Sequence, residues 1–255
     1  MTKKTALLIY FLSLIVFNAA CNKSENQPVE ITSKVDTLAS MTQNIYTSTG
    51  ITNFGYWLYT PKNPTDDMPL IVYLHGGSGR GSDLNLVISG SLPQFLYDSS
   101  VRDIPAYILM PQCPSNKTWD VIESSVIELI DNIVAGKKIN SKKISLTGHS
   151  LGGTGSWNVG AAYSSIFSCI APLSGSVSIN NASNYTKIPV WAFVGSADTI
   201  VDPGSSEAIV PLINSAGGNA RIKIYEGATH FDVPALAYKD QSVKLLDWMI
   251  SQSKN

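Results

Sequence analysis

The chain has no excess of either charge: 18 lysines and arginines stand against 19 acidic residues, a net charge of −1. Without a basic excess there is little to drive binding to a phosphate backbone, so nucleic acid is not an expected partner. Cysteine and histidine are also scarce, with three of each in 255 residues. Cys113 and Cys169 have no histidine or second cysteine at zinc-ligand spacing, so no metal is expected. No apolar run is long enough for a comfortable transmembrane span, and there is no internal repeat or low-complexity tract. With 44% hydrophobic and 15% charged residues, the composition is that of a folded globular chain rather than a disordered one. Its length allows one sizeable domain with a full core.

The N-terminus reads differently from the rest. Lys3 and Lys4 precede an almost unbroken apolar run over residues 6–17, followed by Ala19, Ala20 and Cys21. A positive start, a short apolar stretch and small residues before a cleavage point make a secretory signal peptide over residues 1–20. A cysteine directly after two alanines resembles a bacterial lipoprotein signal, in which the cysteine is acylated and becomes the mature N-terminus. Asn18 departs from that pattern, which usually has leucine there; plain secretion and an uncleaved anchor are the alternatives. Residues 21–42 are polar and aperiodic and suit a tether. The chain is thus expected to be exported, meeting a membrane only through a lipid on Cys21, with its folded domain over residues 43–255.

Within that domain, eight strands are expected at residues 43–47, 54–59, 69–74, 106–110, 143–147, 169–173, 190–194 and 221–225. Several are apolar at every position, as a strand buried on both faces requires. Helices are expected between them. Ile122, Val126, Leu129, Ile130 and Ile133 recur at helical spacing, and residues 152–162 and 206–216 form two more. A last helix opens at Pro234 and runs to about residue 251. Such alternation implies an α/β fold with a mostly parallel sheet covered on both faces. Functional groups then gather beyond the carboxyl ends of the strands.

Gly148-His149-Ser150-Leu151-Gly152 fits G-x-S-x-G. The pattern alone is weak, and a glycine-rich turn with an incidental serine would also match it. A buried strand before it and a helix after it are the context of a nucleophile elbow, which lifts a serine oxygen above the sheet. A serine hydroxyl needs a base. His149 is too close in sequence and should leave the elbow in another direction, and His75 belongs to a His-Gly-Gly turn. His230 remains, in the loop after the last strand. The base needs a carboxylate to hold its ring. Asp198 follows the strand at 190–194 and is favoured, with Asp202 as competitor; Asp232 is too near His230. Either carboxylate could simply cap a turn. An oxyanion needs two donors: the backbone N–H of Leu151, and one from the glycine turn after Leu74, where Gly77 is the candidate. No Gly-Lys-Ser/Thr follows, so this turn is not a phosphate loop.

Together these residues resemble the α/β-hydrolase superfamily. More closely they look like extracellular esterases and predicted peptidases related to dienelactone hydrolases, feruloyl esterases and polyhydroxybutyrate depolymerase-like enzymes. The resemblance runs from about Tyr46 to the C-terminus. It rests on the segments at 74–83, 110–114 with Trp119, 147–153 with Trp157, 195–198, and Thr229-His230 before a final helix carrying Trp248. It implies an eight-stranded α/β-hydrolase sheet, a Ser-His-Asp carboxylesterase acting on small or carbohydrate-linked esters, and no metal or organic cofactor. A serine peptidase of the same fold and a non-catalytic binding lipoprotein are the alternatives. The resemblance also implies that Gln112 and Trp119 lie near the pocket mouth, although Trp119 could equally be ordinary packing. The implied sheet order separates the strands of Cys113 and Cys169 by two others, so no disulfide is expected. Family members that bind long lipids often carry a cap after the strand following the nucleophile helix. Here that connection, residues 174–187, is short and polar, and no large cap domain is expected.

Overall fold

A computed structural model describes residues 38–51 and 53–254. The expected signal peptide, Cys21 and most of the tether lie outside the described residues. In chain order the elements are β1 (Ser40–Tyr46), β2 (Phe54–Thr60), β3 (Leu70–Leu74), α1 (Ser91–Tyr97), β4 (Tyr107–Pro111), α2 (Glu123–Lys137), β5 (Ile144–His149), α3 (Leu151–Ala162), β6 (Cys169–Leu173), β7 (Val190–Gly195), α4 (Gly204–Ser215), β8 (Ala220–Tyr225), α5 (Val233–Tyr238) and α6 (Leu245–Ser251). The eight strands form one sheet in the order β1-β2-β4-β3-β5-β6-β7-β8. The β1–β2 and β2–β4 pairs are antiparallel and all others parallel.

The central strands explain themselves. Every residue of β3, β4, β5 and β6 is buried, because helices cover both faces of a parallel sheet. Along β3, Leu70, Val72 and Leu74 face one core with Val126, Leu129 and Ile130 of α2, Trp157 of α3 and Ile209 of α4. Ile71 and Tyr73 face the other core, with Leu92 of α1, Val233 of α5 and Met249 of α6. The period of two along a strand divides one apolar run between two cores.

Three local expectations are corrected, and a fourth, the absence of a cap at residues 174–187, holds. β1 begins at Ser40 and pairs with Thr60, so the tether's last three residues belong to the sheet; an edge strand needs a ladder partner, not an apolar pattern. The last helix is two. Asp240 accepts the Ser242 N–H at 2.8 Å, Lys244 is left-handed at φ 51°, and the chain turns between α5 and α6. α1 was not expected at all. Residues 174–187 carry a 3-10 helix, Ile179–Tyr185, whose Tyr185 is buried and donates to the Trp157 carbonyl at 2.9 Å. That segment packs down on the fold and is no cap. Cys113 and Cys169 are separate, buried thiols, with β3 and β5 between their strands. Among the described residues no helix is long and apolar enough to cross a membrane.

Candidate active site

Ser150 sits between the end of β5 and the start of α3 at φ 60°, ψ −120°. A non-glycine residue there carries strain of order 1–3 kcal/mol. The neighbouring backbone leaves no room for side chains: a Cβ on Gly148 would lie 2.4 Å from the Leu74 carbonyl oxygen, and one on Gly152 only 1.8 Å from the same atom. Those two glycines let β5 and α3 press against the end of β3. The Ser150 N–H is tied to the Leu173 carbonyl of β6 at 3.0 Å. The elbow therefore lies across the carboxyl ends of three neighbouring strands.

The loops after β7 and β8 bring Asp198 and His230 to the same place. His230 is buried, and its Nδ1–H donates to Asp198 Oδ2 at 2.7 Å. This leaves Nε2 as the basic nitrogen. The other Asp198 oxygen accepts the N–H groups of Ile200 and Val201, each at 2.9 Å. Burial pushes the Asp198 carboxyl up, but the Val201 N–H, the His230 ring and the Ile200 N–H together outweigh it and hold the carboxyl below its ordinary value. Asp202 faces elsewhere and accepts the Gly204 N–H at the start of α4, at 2.9 Å. Asp232 closes its own turn on Thr229, accepting the backbone N–H at 2.8 Å and the hydroxyl at 2.6 Å. Ser150 and His230 line one cleft of about 550 Å³. Among the described contacts no hydrogen bond joins the Ser150 hydroxyl to the ring, a looseness common before substrate tightens such a site.

The glycine turn after β3 forms the opposite wall. A Cβ on Gly76 would lie 3.4 Å from Ser150 Cβ, so the turn runs alongside Ser150. Gly77 opens a 3-10 helix, Gly77–Gly79, and Leu151 opens α3. The first amides of a helix have no intrahelical acceptor. Both are thus donors with capacity for an oxygen in the cleft. His75 fixes the turn: its Nε2 accepts the Cys113 N–H at 2.9 Å, while Nδ1–H donates to the Gly76 carbonyl at 2.6 Å.

Gln112 and Trp119 do not lie at the pocket mouth, and neither lines the cleft. Both are buried. Gln112 Nε2 donates to the Gly79 and Asp83 carbonyls at 3.0 and 2.7 Å, and Trp119 Nε1 donates to the His75 carbonyl at 3.0 Å. Because β4 pairs with β3, the segment leaving β4 braces the turn after β3 from behind. The residues missed from sequence are those of the outer walls: Leu86, Ser91, Gln94 and Phe95 from the β3–β4 connection, and Ile200 and Phe231 beside Asp198 and His230. A signal existed in Phe231, a large apolar side chain directly after the histidine that the sequence offers as the base.

His149 does not leave the site. Its ring packs on His230 with centroids 4.5 Å apart, and its Nε2–H donates to the His230 carbonyl at 2.9 Å. Burial, then the neighbouring His230, lowers His149 to about 4; the hydrogen bond to the His230 carbonyl and the Asp198 charge pull the other way. His75 is likewise lowered to about 4, by burial against its Gly76 hydrogen bond and with Arg80 adding to the lowering. Both rings are neutral when folded, whereas an unfolded chain takes up these protons near pH 6.5. The unfolded state therefore binds more protons between about pH 6.5 and about 4, and stability falls as pH drops through that window. Each ring contributes a slope approaching about 1.4 kcal/mol per pH unit. Melting temperatures of the wild type should fall across that window, and His149→Gln should flatten the fall by about half. The depressed carboxylates act lower, below their ordinary value of 3.8.

Among the described residues no group of three or more His, Cys, Asp or Glu side chains could hold a metal ion. A sheet of this order, helices on both faces and a serine at the turn after the central β5 define the α/β-hydrolase fold. The Dienelactone hydrolase family pattern matches residues 109–244, more than half of the chain and the part holding Ser150, Asp198 and His230. The chain belongs to that family. No curated protein matches it. It is similar to the crystal structure of a thermostable esterase, with TM-score 0.73 and 25% identity, over 84% of this chain and 63% of that one. The chain thus spans less than two thirds of that esterase. A feruloyl esterase module from Clostridium thermocellum, an S954A mutant complexed with sinapinate, superposes with TM-score 0.66 at 15% identity, over 86% of this chain and 90% of the module. An acylaminoacyl peptidase from Pyrococcus horikoshii superposes with TM-score 0.63 at 13% identity, over 86% of this chain and 42% of the peptidase.

Proposed function

We propose that the chain is an exported serine esterase that cleaves small or carbohydrate-linked carboxylic esters through an acyl-enzyme. Ser150 attacks the ester carbonyl. His230 takes the hydroxyl proton on Nε2 and returns it to the leaving alcohol. Asp198 holds the opposite ring nitrogen and stabilises the imidazolium. The Leu151 and Gly77 amides receive the oxyanion, and water then releases the acid. The observation that carries this reading is the 2.7 Å bond between His230 and Asp198, buried at the wall of the cleft that holds Ser150. Family membership and the likeness to the thermostable esterase support an ester as substrate. Export and acylation at Cys21 belong to the same proposal and rest on the leader sequence alone.

A fluorophosphonate probe should label Ser150, and p-nitrophenyl esters should turn over at least about a hundredfold faster than aminoacyl amides. Faster amide cleavage would make the protein a peptidase. A folded sample that fails to label would make it a binding lipoprotein.

A further inference from the structure

Two large apolar side chains stand exposed beside the base. Ile200 is 58% and Phe231 75% accessible, and both line the cleft that contains Ser150. Isolated exposed apolar residues are ordinary, but a pair flanking one titratable group is a local apolar surface in a functional place. Neither sits on a loose loop. The Ile200 N–H is bonded to Asp198, and the turn carrying Phe231 is closed by Asp232 on Thr229. The Phe231 ring lies edge-on to the His230 ring, with centroids 5.4 Å apart at 86°.

The chemistry decides which part of an ester meets this shelf. In the tetrahedral intermediate one oxygen points to the Leu151 and Gly77 amides. The alcohol oxygen must come within hydrogen-bond reach of His230 Nε2 to receive its proton. The carbon behind that oxygen therefore leaves the site on the acid–base side, over Ile200 and Phe231. The acyl group is left the wall formed by Leu86, Gln94 and Phe95. We propose that Ile200 and Phe231 form an alcohol subsite that selects esters of bulky apolar or aromatic alcohols, which narrows the proposed substrates to small esters over carbohydrate-linked ones. This rests on the esterase reading. The step balances without a further reactant: the Ser150 Oγ–carbon bond forms, the carbon–alcohol oxygen bond breaks, and the serine proton passes through His230 to the alcohol.

The alcohol departs before water attacks, and this gives the test its sharpness. Benzyl and methyl acetate yield the same acetyl-enzyme, so an alcohol subsite acts on acylation and not on deacylation. In Phe231→Ala and Ile200→Ala the ratio of kcat/KM for benzyl over methyl acetate should fall about tenfold relative to wild type. Phe231→Leu should keep most of the ratio. The rate of acetyl-enzyme hydrolysis, read after a burst, should stay unchanged. An unchanged ratio, slowed deacylation, or a loss that follows acyl length at a fixed alcohol would overturn the assignment. Wild type that neither labels with fluorophosphonate nor turns over either acetate would sink the esterase reading itself. Labelled, active wild type with an unchanged ratio sinks the alcohol subsite alone.

Discussion

Ser150→Ala should abolish ester hydrolysis, with kcat falling on the order of 10⁶-fold, and should leave the fold intact. The residual rate measures what the oxyanion amides and substrate binding achieve without a nucleophile. The Ser150 hydroxyl makes no hydrogen bond among the described contacts, so its removal deletes chemistry and no structural link. Circular dichroism should be unchanged, the melting temperature should hold within a few degrees, and fluorophosphonate labelling should disappear. Ser150→Gly sharpens the result. The residue sits at φ 60°, where a side chain costs on the order of 1–3 kcal/mol. Glycine removes that strain and loses roughly 0.5–1 kcal/mol to the greater freedom of its unfolded state. Ser150→Gly should therefore be as inactive as the alanine variant yet melt at a higher temperature. An inactive glycine variant that is also destabilised would show that the elbow is not strained. Retained activity in either variant would remove Ser150 from the mechanism.

The strand framework was readable because a parallel sheet covered on both faces leaves a plain trace: runs such as residues 70–74 that are apolar at every position. The elbow was readable for a related reason, since two backbones at van der Waals contact admit only glycine at positions 148 and 152. What escaped has no such local trace. α1 is seven residues long and contains Pro93. It is entered through Gly90 at φ 89° and Ser91 at φ 60°, and its stability comes from Leu92 and Leu96 packing on the sheet. The break between α5 and α6 contains no glycine or proline; an aspartate side chain and a left-handed lysine make it. Gln112 and Trp119 were misplaced because a polar or aromatic side chain in the segment after a strand reads alike whether it faces a cleft or braces a loop. Only the hydrogen bonds to the carbonyls of Gly79, Asp83 and His75 separate the two. His149 escaped for the converse reason: adjacency to Ser150 in sequence says nothing of the loop, eighty-one positions on, whose carbonyl it holds.

Asp198→Asn against Asp202→Asn is the second decisive comparison. Asp198 fixes which nitrogen of His230 carries the proton. Its Oδ2 accepts Nδ1–H at 2.7 Å, which leaves Nε2 free of a proton and able to take one from serine. An asparagine could present its amide N–H₂ to the ring and stabilise the other tautomer, with Nε2 already protonated and useless as a base. It also has no charge with which to stabilise the imidazolium. The expected loss in kcat is on the order of 10⁴-fold with little change in KM, since the acid does not touch substrate. The two amides on Oδ1 keep an acceptor if the asparagine oxygen faces Ile200 and Val201, so the loop should hold its shape. Asp202 accepts only the Gly204 N–H at the start of α4 among its described hydrogen bonds. Its asparagine variant keeps an acceptor there and should lose less than about threefold in kcat and under about 1 kcal/mol in stability. Because both substitutions remove one negative charge from the same loop, a general electrostatic effect on the cleft would lower both activities alike. A large loss in Asp198→Asn with a near-silent Asp202→Asn therefore isolates ring orientation and imidazolium stabilisation as the cause. The opposite ranking would mean that the carboxylate at position 198 serves the turn and the one at position 202 serves the base.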